Sequence, residues 1–174
     1  CSLKQGVDRL SLTCELTIDA KGTLKDFSFH RGIINVDRRL TYRIAHDTVL
    51  GKNKDAALKK ELAPMDRLAR LLKKMRMARG RVDLNIMNEE IVYDGERTAD
   101  IKFAERLVSH SMVEEFMLSA NEAASMALRE AAMPALYRIH ENISDEKLAA
   151  LIDFFRTIGF KFDRGVATGL ALQN

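Results

Sequence analysis

Residues 9 to 19, RLSLTCELTID, alternate without a break: Leu10, Leu12, Cys14, Leu16 and Ile18 fall on one side, Arg9, Ser11, Thr13, Glu15 and Thr17 on the other. Only an extended chain returns every second side chain to the same face, so the stretch reads as a strand with one face to bury. Asp19-Ala20-Lys21-Gly22 then supplies turn residues, and Phe27, Phe29 and Ile33 continue in extended form. The pattern predicts an antiparallel hairpin. Further strands are predicted at 82 to 87 and 90 to 94, the second closed by Asp94-Gly95.

Helical periods occupy much of the remaining chain. Thr41 is a candidate N-cap for a short helix over 42 to 50, with Leu40 and Ala45 as a hydrophobic staple and Gly51 ending it. Leu58, Leu62, Met65, Leu68, Leu72 and Met75 recur every three or four residues, predicting a helix over 55 to 79 that breaks or kinks near residue 63 because of Pro64. Another helix is predicted over 104 to 132. Ser144 caps a last one in which Leu148, Leu151, Ile152, Phe155 and Ile158 share a face before Gly159 stops it. The fold class is therefore α+β, antiparallel strands packed with several helices. At 174 residues, without a visible repeat or linker, the chain reads as one domain.

No apolar run approaches the ~18 residues that cross a bilayer, and no membrane role is expected. Cys1 and Cys14 are the only cysteines and no signal peptide is seen, which points to a reducing, cytoplasmic setting. Cys14 is read as a small core residue. The net charge of +3 is unevenly spread: residues 52 to 81 hold eleven Lys or Arg against three acids, a local +8 that leaves −5 elsewhere. Such a distribution suits a polyanion partner, although Lys59, Lys60, Arg67, Arg70, Lys73, Lys74, Arg76, Arg79 and Arg81 also fit the solvated side of an amphipathic helix.

Within MVEEFMLSANEAA at 112 to 124, two adjacent carboxylates differ in phase. At ~100° per residue, Val113, Met117, Ala120, Ala124, Ala127, Leu128 and Ala131 form an apolar arc. Glu115 then points with Ser111, Glu122 and Arg129 to the polar side and is expected to be a solvated surface acid. Glu114 lies at the border of the arc, nearly in line with His110 and Asn121, and is expected to be partly buried. A carboxylate short of water needs donors, since an unmet one costs at least ~1 to 3 kcal/mol. Two readings stay open: a structural ion pair, or a polar cleft where Glu114, Asn121 and His110 accept a ligand hydroxyl. His30, His46 and His110 stand at no spacing from acids or cysteines that suggests zinc.

The same stretch, with PALYRIHE at 134 to 141 and DEKLAALIDFFRTIGF at 145 to 160, resembles the catalytic RNB domain of the ribonuclease II and ribonuclease R exoribonucleases, which carry IEEFMLLAN leading into ALYRVHE. CSLKQGVDRLSLTCELTIDAKG is similar to the family's CSL-x-x-G-x-DRLAL strand, and GIINVDRRLTYRIAHDTVLG to its next strand and LTY helix. The resemblance covers nearly the whole chain. It implies processive, magnesium-dependent hydrolysis of single-stranded RNA from the 3′ end to nucleoside monophosphates. The family's aspartate cluster upstream of CSL and its downstream SPIRRY-like arginine motif are not in these 174 residues, so the chain is read as the central part of an RNB-like domain, with neither catalytic residues nor metal ligands and inactive alone.

By the same resemblance Tyr42 maps to a tyrosine that stacks near the 3′-terminal nucleotides and Glu114 to a glutamate that contacts ribose; Asn121, which the helical projection sets in line with Glu114, is added as a candidate RNA contact. Tyr137, Arg138 and His140 match ALYRIHE and are read as structural. A non-catalytic RNA-binding module and a structural or oligomerising protein of the same fold are the alternatives. Truncation also raises the expectation of a homo-oligomer formed through newly exposed apolar faces.

Overall fold

The structure, a computed structural model, describes residues 2–81, 89–103, 105–139 and 144–159. The order is β1 (Asp8–Ile18), β2 (Leu24–Asn35), α1 (Tyr42–Val49), α2 (Ala56–Ala78), β3 (Glu89–Asp94), β4 (Arg97–Phe103), α3 (Val108–Glu130) and α4 (Asp145–Thr157). The strands make two separate antiparallel pairs, β1–β2 and β3–β4. The architecture is the mixed α+β class that the sequence predicts.

The first hairpin is closed by its own turn chemistry. Asp19 Oδ1 accepts from the N–H groups of Lys21 and Thr23, both at 2.9 Å, and Gly22 takes φ +84°. Cross-strand pairing sets Leu16 opposite Phe27, Cys14 opposite Phe29 and Leu10 opposite Ile33, so these apolar side chains share one face, while Ile34, opposite Arg9, falls on the other. That face is used unevenly. Near the turn, Cys14, Leu16, Ile18, Phe27 and Phe29 are half-buried, whereas Leu10 at 85% exposure, Leu12 and Ile33 stand in solvent at the far end. The turn itself rests on α2, where a Cβ at Gly22 would meet Leu71 Cγ at 3.3 Å.

The core sits where α1, α2 and α3 meet, around Leu58, Leu62, Ala69 and Leu72 of α2 and Met112 and Ala123 of α3, with Leu107 just before α3. The helix starts follow capping rules. Thr41 Oγ1 accepts from Ile44 N–H at 3.2 Å, Asp55 Oδ1 from Leu58 N–H at 3.0 Å and Ser144 Oγ from Lys147 N–H at 3.4 Å. Gly51 and Gly159, with φ +76° and +92°, end α1 and α4 as expected.

Several expectations are corrected. Of the two outcomes expected at Pro64, the break does not occur: helix α2 is continuous from Ala56 to Ala78, with Leu58 and Leu62 buried before the proline and Ala69 and Leu72 after it offsetting the one intrahelical bond it removes. Helix α3 starts at 108 rather than 104, because Leu107 is extended at φ −78°, ψ 149°. Its first N–H groups are met by imidazoles in place of a hydroxyl: Leu107 N–H donates to His110 Nδ1 at 3.4 Å and Val108 N–H to His46 Nδ1 at 3.1 Å. The strand at 90 to 94 exists but pairs across Gly95 with β4, which the sequence reading left out; the strand predicted at 82 to 87 lies outside the described residues.

The largest correction concerns the orientation of α3. Its buried residues are Ser109, Met112, Glu115, Ser119 and Ala123, while Val113 and Met117 of the supposed core arc are exposed. Glu115, expected in water, is 0% exposed. The reason lies in the partner helix: the buried stripe of α2 continues one turn past Leu72 onto Arg76, so the face α3 must match carries a cation.

Candidate functional site

Four residues before Arg81, the last turn of α2 begins to prepare its position. Gly80 adopts φ +96°, its N–H donates to Met77 O at 3.0 Å, and Arg81 N–H donates back to Arg76 O at 3.1 Å. This pair of bonds is the Schellman closure of a helix, and glycine is the residue that enters its left-handed position without strain. The backbone of Arg81 is thereby fixed one turn from that of Arg76, and both side chains turn toward α3.

There they meet the adjacent glutamates. Arg76 Nε donates to Glu115 Oε2 at 2.9 Å and Nη1 to Glu122 Oε1 at 2.6 Å. Arg81 Nη1 donates to Glu115 Oε1, and Arg81 Nη2 to Glu114 Oε1 at 2.5 Å. Ser119 Oγ, 3.5 Å from Arg76 Nη2, donates to the Glu115 carbonyl at 2.9 Å. Each oxygen of the buried Glu115 carboxylate thus has its own guanidinium. That satisfaction is what makes burial of the charge tolerable.

Glu114 is placed differently. Its side chain is 36% exposed, and Oε2 stands 3.6 Å from Arg106 Nη2, an ion-pair rather than a hydrogen-bond distance. The border position expected for Glu114 is therefore observed, although its donors are arginines of its own chain. One turn earlier on the same side of α3 is His110, whose ring lies 4.2 Å from that of Tyr42, centroid to centroid, with the planes at 57°. The Tyr42 carbonyl accepts from Ser109 Oγ at 2.7 Å, which ties the start of α1 to α3. Asn121 is exposed two turns beyond Glu114. His110, Glu114 and Asn121 therefore run along one side of α3 over about 16 Å, with Tyr42 at the His110 end.

Tyr42 is 48% exposed and lies on the rim of a largely apolar cavity of about 370 Å³ bordered by Leu40, Met65, Val113 and Phe116. A second cavity, about 400 Å³, opens between α2 and the start of α3 and is flanked by Arg70, Lys73, Arg106 and Asp66. The basic stretch splits accordingly. Lys59, Lys60, Arg67, Arg70, Lys74 and Arg79 are exposed, whereas Arg76 and Arg81 turn inward to the glutamates. Tyr137 and Arg138 are exposed in the segment after α3, and His140 lies outside the described residues.

Sequence reasoning missed Arg76 and Arg81 as partners of the glutamate pair. The signals were present: a cation on the apolar stripe four residues after Leu72, and Gly80 followed at once by a further arginine. Among the described residues no three or more His, Cys, Asp or Glu side chains come together to hold a metal ion. No helix of the described residues is long and apolar enough to cross a membrane.

Comparison with known proteins places the chain in a family. Ribonuclease R of Aquifex aeolicus is 35% identical over 173 residues, covering 94% of this chain and 24% of that protein. Ribonuclease R of Escherichia coli K12 is 30% identical over 170 residues, 95% of this chain and 21% of the other. The structure of Mycoplasma genitalium RNase R in complex with ribose methylated single-stranded RNA matches 99% of this chain and 28% of that one, at 25% identity and a TM-score of 0.90. Dss1 exoribonuclease of Candida glabrata, at 20% identity and a TM-score of 0.66, shares the fold. The chain spans about a quarter of the length of these relatives. Residues 1–172 match the RNB domain, and the chain belongs to that family.

Proposed function

We propose that this chain is the central part of a 3′-to-5′ exoribonuclease domain, and that its share of the work is to hold the 3′-terminal nucleotides of single-stranded RNA. The observation that carries this reading is the one-third-exposed Glu114 carboxylate on the same side of α3 as the Tyr42–His110 pair, while its neighbour Glu115 is spent on the scaffold. A carboxylate oxygen accepts from a ribose 2′-hydroxyl, which DNA lacks, and an exposed aromatic ring stacks on any base for ~1 to 3 kcal/mol. Asn121, exposed on the same line, has both a donor and an acceptor for sugar or base edges. These contacts are indifferent to base sequence, as an enzyme that degrades RNA residue by residue requires.

The exposed cations of α2 supply the matching long-range attraction for phosphates. The relative from Mycoplasma genitalium bound to single-stranded RNA supports the substrate class. Hydrolysis to nucleoside monophosphates, magnesium dependence and a cytoplasmic setting belong to the proposal for the whole protein. No step through a metal is assigned to the residues of this chain, and the chain alone is expected to be inactive.

Titration of the 174-residue polypeptide with labelled single-stranded RNA at two salt concentrations tests the binding role. Affinity is expected to fall steeply with salt. Absence of binding at low salt contradicts RNA contact, and magnesium-dependent release of nucleotides by the purified chain contradicts the assignment of the chemistry elsewhere.

A further inference from the structure

We propose that Arg81 is a positioning residue that fixes the Glu114 carboxylate for its sugar contact, with the buried Glu115 as the anchor that fixes Arg81; this rests on the reading of Glu114 given above. A glutamate that is one-third exposed has three rotatable bonds, and ordering it at the moment of binding costs part of the hydrogen bond it then makes. Here it is ordered beforehand. Adjacent helical residues point about 100° apart and do not brace each other, so the brace has to come from another element. A planar guanidinium at the end of α2 supplies it, with Nη1 on Glu115 Oε1 and Nη2 on Glu114 Oε1.

Arg81 is itself held from both ends. The Schellman closure pins its backbone, with Gly80 in the left-handed region, and the fully buried Glu115, whose second oxygen belongs to Arg76, pins its head. Oε1 of Glu114 is occupied by this brace. Oε2, at 3.6 Å from Arg106, is the atom assigned to the incoming hydroxyl. The arrangement needs a fork: lysine keeps the charge but presents a compact ammonium without the planar pair of donors.

The test uses the protein at its full natural length, with EDTA present so that metal-dependent turnover is suppressed, and two labelled single-stranded oligonucleotides that differ only in the 2′-hydroxyls of their 3′-terminal nucleotides. The readout is the ratio of affinities for the ribo and deoxy ends. Glu114→Gln is expected to lower that ratio about tenfold, the worth of one hydrogen bond to a charged group. Arg81→Lys is expected to lower it about three- to tenfold while leaving affinity for the deoxy end unchanged. Arg81→Gln, a second variant that retains donors without charge, is expected to do the same, and Glu122→Gln, whose carboxylate pairs with Arg76, to leave the ratio alone. If both Arg81 variants keep the wild-type ratio while Glu114→Gln loses it, Arg81 is no positioning residue. Equal weakening of both ends by Arg81→Lys, with a shallower salt dependence, would make it a phosphate contact and overturns the proposal. A wild-type ratio in Glu114→Gln removes the sugar contact itself.

Discussion

The β1–β2 hairpin and the α2–α3 seam reverse each other's chemistry. In the hairpin a regular apolar face ends with Leu10, Leu12 and Ile33 in solvent. In the seam a glutamate, an arginine and two serines are buried while Val113 and Met117 of the same helix are exposed. Periodicity says which side chains share a face; whether that face is covered depends on what stands opposite. Among the described residues the hairpin packs on the helices at its turn, and α3 meets an α2 stripe that ends in a cation, so the side of α3 that carries the complementary anions is the one that docks.

The contrast can be broken by mutation. The largest effect is expected from Glu115→Ala, which leaves Arg76 and Arg81 facing a buried gap: about 3 to 5 kcal/mol of stability should be lost in denaturant unfolding. A loss under 1 kcal/mol would mean that the seam does not depend on its charge. Leu72→Ala, at a residue 2% exposed, is expected to cost about 2 to 5 kcal/mol, against less than about 0.5 kcal/mol for Leu10→Ala. Equal costs would erase the distinction between the two regions, because the residue type is the same. Gly22→Ala forces a left-handed alanine and crowds Leu71, for an expected loss of about 1 to 2 kcal/mol.

The smallest effect is a pH dependence. The Thr23 N–H, then those of Lys21 and the Lys25 ammonium, hold the Asp19 carboxyl below its ordinary value; at Asp55 the Leu58 N–H leads, followed by the Arg38 guanidinium. Because both groups are depressed in the folded state, the stability they add is complete above about pH 4 and is lost as pH falls through their folded values. Asp55→Asn retains a capping side chain and should flatten the acid-side decline of the unfolding midpoint without a large change at pH 7. An unchanged decline would show that the cap is not titrating.

Much of the fold was legible because its signals are local. The alternation at 9 to 19, the Thr41 and Ser144 caps and the stops at Gly51 and Gly159 need no knowledge of neighbours. The β4 strand was available as Ala99, Ile101 and Phe103 alternating after Asp94-Gly95, but three apolar positions among charged residues made a weak pattern. Pro64 did not break the helix because its local cost is offset by packing on both sides. The site was half legible. Projection separated Glu114 from Glu115 and placed Glu114 at a border with His110 and Asn121, as observed, yet gave Glu115 to solvent, since an acid's burial is decided by donors 39 and 34 residues away in the chain, Arg76 and Arg81.

The division of work between these neighbouring acids is tested most directly in the full-length protein by the affinity ratio of Glu114→Gln for oligonucleotides with and without 3′-terminal 2′-hydroxyls, read beside its unfolding midpoint. If Glu115 holds the scaffold and Glu114 addresses the sugar, the midpoint stays near wild type and the ratio falls toward one. A wild-type ratio, or a midpoint that drops as far as that of Glu115→Ala, contradicts it.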